Sequence, residues 1–547
     1  MSGLHTYLYR TTTMMKRFLL ALLTGALLAA SWPTYGFPLL LFIAFVPLLF
    51  VTRSIRISSL KRKGWKVFYL AYIAFFIFNI ASTWWLYNST AVGMWFAVMA
   101  NALLMTFAWM LYYHISKRTS TLLSLAFLTS IWMLYEFMHL NWQLAWPWLD
   151  LGNAFAEYTS WIQWYEYTGT FGGTLWVWAA NCTLFYGLRN YTNPEKKLRK
   201  AIVCFTGIVV IPILISIIIK ATYVEKENPV EVVILQPNID PYTEKYNTTN
   251  DRIADLIFEE SSKALTQNTQ FLITPETVLA EGYGVDITTF DYSPEKERAE
   301  EFLKKYPKLN YLMGIQFYQM HHGDKDILPT SNYLGDDRIG NPVYGDFYNS
   351  AVMLNDSGES QIYHKSKLVV GVENFPYQNL LKPLLGDIML DMGGTVAMKT
   401  IQDKRTAFTA NTGIKVGSII CYESVFGEFV TGYVKDGADF LAIMTNDAWW
   451  GDTQGHKQHL AYANLRAIET RRSIARSANT GISAIIDQTG TVHESLPYNK
   501  KGTINGTLNL NDKITFYVKH GDYLAWFAMV AAIFIFLRSM IKPKRIK

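Results

Sequence analysis

The sequence predicts a multi-span α-helical membrane domain joined to an α/β layered domain. Three observations carry that prediction. Half of the 547 residues are hydrophobic and only 17% are charged, below the roughly 25% of an ordinary soluble chain. The charge deficit is confined to the stretches before residue 222 and after residue 519. Between them, short apolar runs alternate with amphipathic ones, the pattern of strands alternating with helices.

Seven apolar segments precede the polar region, at 17–32, 37–52, 67–87, 91–114, 120–139, 170–189 and 201–220, and one follows it at 521–540. Most approach the roughly 20 residues needed to cross a bilayer. The first two are short and are separated by SWPTYGF, which predicts a tight helical hairpin; one kinked segment is the alternative, and it would put Lys16 and Arg53 on opposite sides. Ala29–Ser31 follows a basic start and imitates a signal-peptide cleavage site, but the second apolar segment follows at once, as expected for an uncleaved span.

The basic residues sort by side. Lys16 and Arg17 precede the first span, and Arg53, Arg56, Lys61, Arg62, Lys63 and Lys66 lie between the second and third. Lys117 and Arg118 follow the fourth, and Arg189, Lys196, Lys197, Arg199 and Lys200 follow the sixth. Arg538, Lys542, Lys544, Arg545 and Lys547 follow the last. The intervening loops at 33–36, 88–90 and 140–169 contain no Lys or Arg. The positive-inside rule then puts both termini in the cytoplasm and the polar domain outside it. The net charge of +6 is accounted for by this topology, and no nucleic-acid partner is expected. The Trp- and Tyr-rich loop 140–169 is expected to form an interfacial aromatic belt, the sharper alternative being a surface that shapes a lipid path to the polar domain. The expected organisation is an N-terminal extension over 1–16, a membrane domain of seven transmembrane helices over 17–220, a polar extracytoplasmic domain over 222–519, and a final span with a basic tail over 520–547.

In the polar domain the strand candidates are 230–237, 270–277, 310–318, 349–356, 361–370, 415–423, 440–447 and 481–492. Helices are expected over 249–266 and 456–476, and Asp487-Gln488-Thr489-Gly490 reads as a hairpin turn. Of three cysteines, Cys182 and Cys204 fall inside apolar segments, so Cys421 is the only thiol in this domain. It ends a strand-like run. An unpaired thiol in an oxidising compartment invites a chemical role, because structural cysteines there usually pair; a small buried hydrophobe is the plainer alternative. A nucleophilic thiol needs a base and a cation. Two other strand ends supply candidates, Glu276 in LITPETVLAEG and Lys365 in IYHKSKLVVGVENFP. Each alone would pass for a solvated loop charge.

Taken together, PE after a strand, YHKSKLV followed by GVE, and CYE after a strand resemble the Glu–Lys–Cys triad of the nitrilase, or carbon–nitrogen hydrolase, superfamily. The run TNDAWWGDTQGHKQHLAYANLRAIETRRSIARSANTGISAIID is similar to its membrane branch, the apolipoprotein N-acyltransferases, which also place such a domain between seven spans and one final span. The resemblance implies a nitrilase-like αββα sandwich, with Cys421 as nucleophile, Glu276 as general base and Lys365 as oxyanion stabiliser. It implies that Glu373 and Glu423 orient Lys365 and hold the amine substrate, and that Tyr422, Asn349 and Trp449 line the pocket. It further implies ping-pong transfer of an acyl chain from a phospholipid, with phosphatidylethanolamine the expected donor, to the N-terminal amine of a diacylglyceryl apolipoprotein. The implied setting is the last step of lipoprotein maturation at a bacterial inner membrane, by a monomer with no cofactor and no metal. The chain departs from the family pattern at Val370 and Val372, which replace Pro and Phe, at Thr274, which replaces Trp, and at Tyr246, a lid-like aromatic in place of Trp. These changes bear on pocket shape rather than on the triad.

The pair His321-His322 lacks the spacing of a metal site and reads as a solvated loop. A membrane-tethered nitrilase or amidase acting on a small amide or nitrile would use the same triad. A transporter or receptor would need charged residues inside the spans, where only Glu136 stands out, near a span end.

Overall fold

The computed structural model describes residues 13–189, 194–245, 247–377 and 398–541, with only the backbone of 194–197. Tyr246 and residues 1–12 of the N-terminal extension lie outside the described residues. The chain forms two compact units, Met1–Thr222 with Asp522–Lys547, and Tyr223–Gly521.

The first unit is helical. Its helices are α1 (Met14–Ala29), α2 (Pro38–Ile57), α3 (Lys63–Thr83), α4 (Ala91–Ile115), α5 (Thr121–Asn141), α6 (Thr170–Leu188) and α7 (Pro194–Thr222), followed at the end of the chain by Tyr523–Ile541. Among the described residues, six helical segments are long and apolar enough to cross a membrane, which makes this a multi-span membrane protein: Pro38–Ile57, Lys63–Asn88, Ala91–Ile115, Thr121–Asn141, Leu198–Thr222 and Tyr523–Ile541. The two other apolar segments are also helical. At 16 residues, α1 is shorter than the roughly 20 a full crossing takes. The 19 residues of α6 include Thr170, Thr174, Asn181 and Thr183, which dilute its apolar character. Arg17 Nε donates to Ser54 Oγ at 3.0 Å, which ties the start of α1 to the later part of α2 as the hairpin reading requires.

The aromatic loop is packed inward in part, with Trp142, Trp146, Trp161 and Trp164 half-buried and Tyr167 exposed. Trp148, Leu151, Phe155 and Tyr165 are buried in the helical unit. Glu136 is buried too and is fully engaged, accepting from Trp132 Nε1, Leu151 N and Thr174 Oγ1 at 3.2, 2.9 and 2.6 Å. A buried carboxylate needs such donors, and the loop supplies one of them.

The second unit is a two-sheet sandwich between helices. Its strands among the described residues are β1 (Pro229–Gln236), β2 (Phe271–Ile273), β3 (Val285–Asp286), β4 (Asn310–His322), β5 (Asn332–Asp336), β6 (Pro342–Leu354), β7 (Ser360–His364), β8 (Ala407–Thr409), β9 (Lys415–Ile420), β10 (Phe440–Thr445), β11 (Ile474–Ala478), β12 (Ser483–Ile486), β13 (Val492–Leu496) and β14 (Gly502–Asn509). The first sheet runs β14-β1-β2-β4-β6-β5, with β3 on β4 and β7 on β6; the second runs β13-β12-β11-β10-β9-β8. Strands β1, β2 and β4 are parallel, as are β9, β10 and β11. Parallel strands are covered on both faces, so Val232–Leu235 and Phe440–Thr445 are buried without alternation. Phe271 and Phe440 meet edge to face across the two sheets, 5.0 Å between centroids.

Helices α8 (Asn250–Ser262) and α9 (Pro294–Leu303) cover the first sheet through Ile253, Ile257, Ala299, Phe302 and Leu303, packed on Val233, Leu235, Leu272 and Tyr311. Each such large apolar side chain contributes about 1.5–3 kcal/mol by burial. Helices α10 (Gly427–Lys435) and α11 (Gln454–Thr470) belong to the second sheet.

The expected helix over 456–476 stops early. α11 ends at Thr470, Arg471 turns left-handed at φ 51°, and Ile474–Ala478 is the central strand β11. The run over 361–370 is strand only to His364, and the remainder is the loop that carries Lys365. His321 and His322 end β4 rather than sit in a loop, with His321 Nε2 2.9 Å from Asp346 Oδ2. The hairpin turn at 487–490 is as expected: Gly490 N donates to Asp487 O at 3.0 Å with Gly490 at φ 76°.

Candidate active site

Chemistry-bearing side chains gather where the strands of both sheets end, the usual place for a site in an open α/β arrangement. Cys421 follows β9 directly and is held left-handed at φ 49°, a conformation costing a residue with a Cβ about 1–2 kcal/mol. A turn this sharp lifts the side chain out of the strand line. Its carbonyl is gripped from below: Ser424 Oγ donates to it at 2.7 Å, and His459 Nε2 lies 3.2 Å away. Cys421 is buried, 7% exposed. Burial pushes its pKa up, Glu276 and Asp447 push the same way, and Lys365 with a hydrogen bond from Thr445 pulls it down. The resting thiol is therefore neutral, and thiolate has to be generated by a base.

Glu276 sits three residues past β2, on a turn pressed against β4. A Cβ on Gly314 of β4 would lie 2.1 Å from the Pro275 carbonyl oxygen and 2.6 Å from the Thr277 nitrogen. Only glycine lets the PE turn approach this closely. Thr274 N donates to Leu312 O at 2.9 Å, which leaves Thr274 serving the sheet.

Lys365 follows β7 and is 1% exposed. Its Nζ donates to Glu276 Oε1 at 2.8 Å and lies 2.9 Å from Glu373 Oε2. Asn349 of β6 bridges the same two carboxylates, its Nδ2 donating to Glu276 Oε1 at 2.7 Å and to Glu373 Oε1 at 2.9 Å. Asn446 N donates to the other Glu276 oxygen at 3.2 Å. Burial opposes the Lys365 charge, but Glu276 and Glu373 outweigh it and hold the ammonium pKa well above the ordinary lysine value. Burial likewise opposes the Glu373 carboxylate, and Lys365 with the Val369 N–H outweighs it and holds that carboxyl low. The arrangement keeps a permanent cation beside the thiol.

Glu423 is different from the role expected of it. It is fully buried and spends both oxygens on protein donors: Tyr363 Oη at 2.7 Å and Ser366 N at 2.6 Å on one, Ile420 N at 2.8 Å and Tyr433 Oη at 3.2 Å on the other. It pins the Lys365 loop to the Cys421 turn and has no oxygen left for an amine. Tyr422 packs edge to face on Phe426 at 5.1 Å, and the half-buried Trp449 on Tyr242 at 5.1 Å. Val372, in place of a family Phe, is 49% exposed.

Two groups at the site escape reading from the sequence. The first is a buried support beneath Cys421. Arg476 Nη2 donates to Asp447 Oδ2 at 2.6 Å, Asp447 Oδ1 lies 2.9 Å from His459 Nδ1, and His459 Nε2 lies 2.9 Å from Ser424 Oγ. Burial disfavours the Asp447 charge, yet Arg476 and His459 outweigh it and hold the carboxylate far below its usual range. The second is a pair of lysines. Lys245 Nζ donates to Thr277 Oγ1 beside Glu276, and Lys399 Nζ donates to Gln316 Oε1 at 3.1 Å.

Residues 232–515 match the Carbon-nitrogen hydrolase family, and residues 24–183 match the Apolipoprotein N-acyltransferase N-terminal domain. The chain belongs to the carbon–nitrogen hydrolase family, in its apolipoprotein N-acyltransferase branch. It is similar to the apolipoprotein N-acyltransferase of Chlorobaculum tepidum, 26% identical over 93% of each chain. It is similar also to that of Thermotoga maritima, 23% identical over 96% of this chain and 94% of the relative. A solved mutant of the Nesterenkonia AN1 amidase, of the nitrilase superfamily, aligns with 56% of this chain and all of its own at 14% identity and a TM-score of 0.36.

Proposed function

We propose that this enzyme transfers a fatty acyl chain from a phospholipid to the N-terminal amine of a diacylglyceryl-cysteine lipoprotein through a thioester on Cys421. The observation that carries the reading is the junction of Lys365 with Glu276 and Glu373 beside a neutral, buried thiol, in a chain similar to apolipoprotein N-acyltransferases along 93% of its length. Glu276 takes the thiol proton and the thiolate adds to the sn-1 ester carbonyl. Lys365 holds the resulting oxyanion. The ester C–O bond breaks, and Glu276 returns the proton to the departing lysophospholipid alkoxide. In the second half the α-amine adds to the thioester, loses a proton to Glu276, and an amide forms as the thiolate leaves and is reprotonated.

Both substrates are anchored in lipid. Extracting an acyl chain costs about 0.8 kcal/mol per CH₂, so an enzyme carrying its own membrane helices has the advantage over one that must lift the chain out. Burial of the site favours amine over water as the acceptor. The basic residues flanking the spans support cytoplasmic termini and a catalytic unit on the outer face of a bacterial inner membrane.

Intact-mass spectrometry of the protein incubated with phosphatidylethanolamine is expected to show one acyl adduct, removed by hydroxylamine and absent in Cys421→Ala. No adduct from lipid, together with turnover of a small amide, would instead establish the amidase reading.

A further inference from the structure

We propose that Thr445 is a further catalytic residue, its hydroxyl turning from Asp447 to Cys421 Sγ as the thiolate forms. This rests on the reading of Cys421 as the nucleophile that carries the acyl chain.

The strand register puts the two residues side by side. Met444 of β10 pairs with Ile420 of β9 in parallel, so Thr445 and Cys421 come next on neighbouring strands. Thr445 is fully buried, and a buried hydroxyl needs a partner. It has one on each side. Thr445 Oγ1 donates to Asp447 Oδ1 at 2.8 Å, and the same oxygen is hydrogen-bonded with the Cys421 side chain. A hydroxyl carries one hydrogen and two acceptor sites. Beside a neutral thiol that hydrogen belongs to Asp447. A thiolate accepts and does not donate, so the hydrogen turns to sulfur by rotation about the Cβ–Oγ1 bond alone.

Asp447 keeps other donors when the hydroxyl turns away. Its Oδ1 lies 2.9 Å from His459 Nδ1, and its Oδ2 accepts from Arg476 Nη2 at 2.6 Å. Gly481 closes in beside it: a Cβ there would lie 2.6 Å from Asp447 Oδ2 and 2.9 Å from the Asp447 Cβ. The carboxylate therefore stays in place. Because Arg476 already neutralises it, its hold on the hydroxyl is the weaker of the two once sulfur is charged.

The sulfur needs this second donor because the cation beside it is heavily used. An ammonium has three N–H bonds. Lys365 gives to Glu276 and to Glu373, which leaves one for the oxyanion. The thiol proton goes to Glu276, Thr445 keeps its own, and the negative sulfur accepts the Thr445 O–H. Once the S–C bond forms, sulfur is neutral and the hydroxyl returns to Asp447. In the second half-reaction the same turn supports the thiolate as it leaves.

The test uses the full-length protein in detergent micelles. The acyl donors are p-nitrophenyl palmitate and phosphatidylethanolamine; iodoacetamide, read on the Cys421 peptide, reports the thiolate. Thr445→Val and Thr445→Ala remove the hydroxyl, the first keeping the side-chain shape, and Thr445→Ser retains it. Both hydroxyl-free proteins are expected to slow single-turnover acylation by roughly ten- to hundredfold, the worth of one hydrogen bond to a charged group. KM should be unchanged, and the pH profile of alkylation should move to higher pH. Thr445→Ser should restore both rate and profile. A Thr445→Val protein as fast as wild type, or one whose loss lies in KM, overturns the proposal. So does a loss that Thr445→Ser shares, which assigns the effect to packing. Slow acylation with an unmoved alkylation profile also overturns it, because the hydroxyl then acts after the thiolate has formed. Wild type acylated by the ester and never by phospholipid would refute the phospholipid reading alone, and Thr445 would be judged on the ester.

Discussion

At the scale of single residues, the site depends as much on Glu423 as on the groups that would touch substrate. Its two oxygens collect donors from the Lys365 loop, the Cys421 turn and two tyrosines. Burial raises its pKa, while the hydrogen bonds from Ser366, Ile420 and Tyr363 and the field of Lys365 pull it down. Removing the carboxylate strands several buried donors at once, each costing about 1–3 kcal/mol. Glu423→Ala should therefore lower the unfolding midpoint by many degrees and abolish adduct formation together. Cys421→Ala should abolish the adduct and leave the midpoint within a few degrees, since alanine meets the same left-handed penalty as cysteine. Thermal unfolding of the two variants side by side checks this; equal midpoints would show that Glu423 is not the joint described here. Lys365→Ala has a third signature. It leaves Glu276 and Glu373 without their cation and should prevent acylation, which intact mass reads directly.

At the scale of elements, the site is made by strand ends brought into contact, and β4 meets the PE turn backbone to backbone. A methyl group on Gly314 would meet backbone atoms of Pro275, Glu276 and Thr277 at 2.1–2.9 Å, and backbone cannot rotate away as a side chain can. Gly314→Ala should displace Glu276 and slow single-turnover acylation by about 100-fold, the usual cost of a 1 Å misplacement; an unaltered rate would show that the turn has slack. The parts that were legible in the sequence have two causes. Glu276 and Cys421 follow apolar runs buried on both faces, β2 and β9, whereas Lys365 follows the partly buried SQIYH of β7 and was legible through its resemblance to the family motif. Arg471 and Ile474–Ala478 were not legible, because a left-handed arginine carries no sequence signal and LRAIETRRSIAR is compatible with helix throughout. The Asp447–His459–Arg476 support was hidden for another reason. Its members come from a strand exit, a helix and a central strand, and only the assembled second sheet brings them under Cys421. The sequence offers no clear signal for them, because His459 lies in QGHKQHLAYAN and Arg476 in RRSIARSAN, polar stretches that read as exposed.

At the scale of the whole molecule, stability should carry the imprint of the buried Lys245 charge. Lys245 is buried, and burial is the main cause of its fall from an ordinary 10.5 to about 8. The sign follows from proton counts. Below pH 8 the lysine is charged in both folded and unfolded chains, and burying that charge costs the folded state its full penalty. Between pH 8 and 10.5 the folded chain holds fewer protons than the unfolded one, so this residue's contribution becomes more favourable as pH rises. Above 10.5 the penalty is gone. The span corresponds to about 3 kcal/mol. Lys245→Met removes the charge, and it also removes the bond to Thr277, which adds an offset independent of pH. The stability of Lys245→Met relative to wild type should therefore be greatest near pH 7 and decline steadily toward pH 10. Parallel thermal unfolding of the two proteins in the same detergent, at half-unit steps across that range, measures the difference directly. A gap that stays constant with pH would mean that Lys245 keeps an ordinary lysine pKa in the folded chain, and that its charge is carried without strain by the carboxylates of the site.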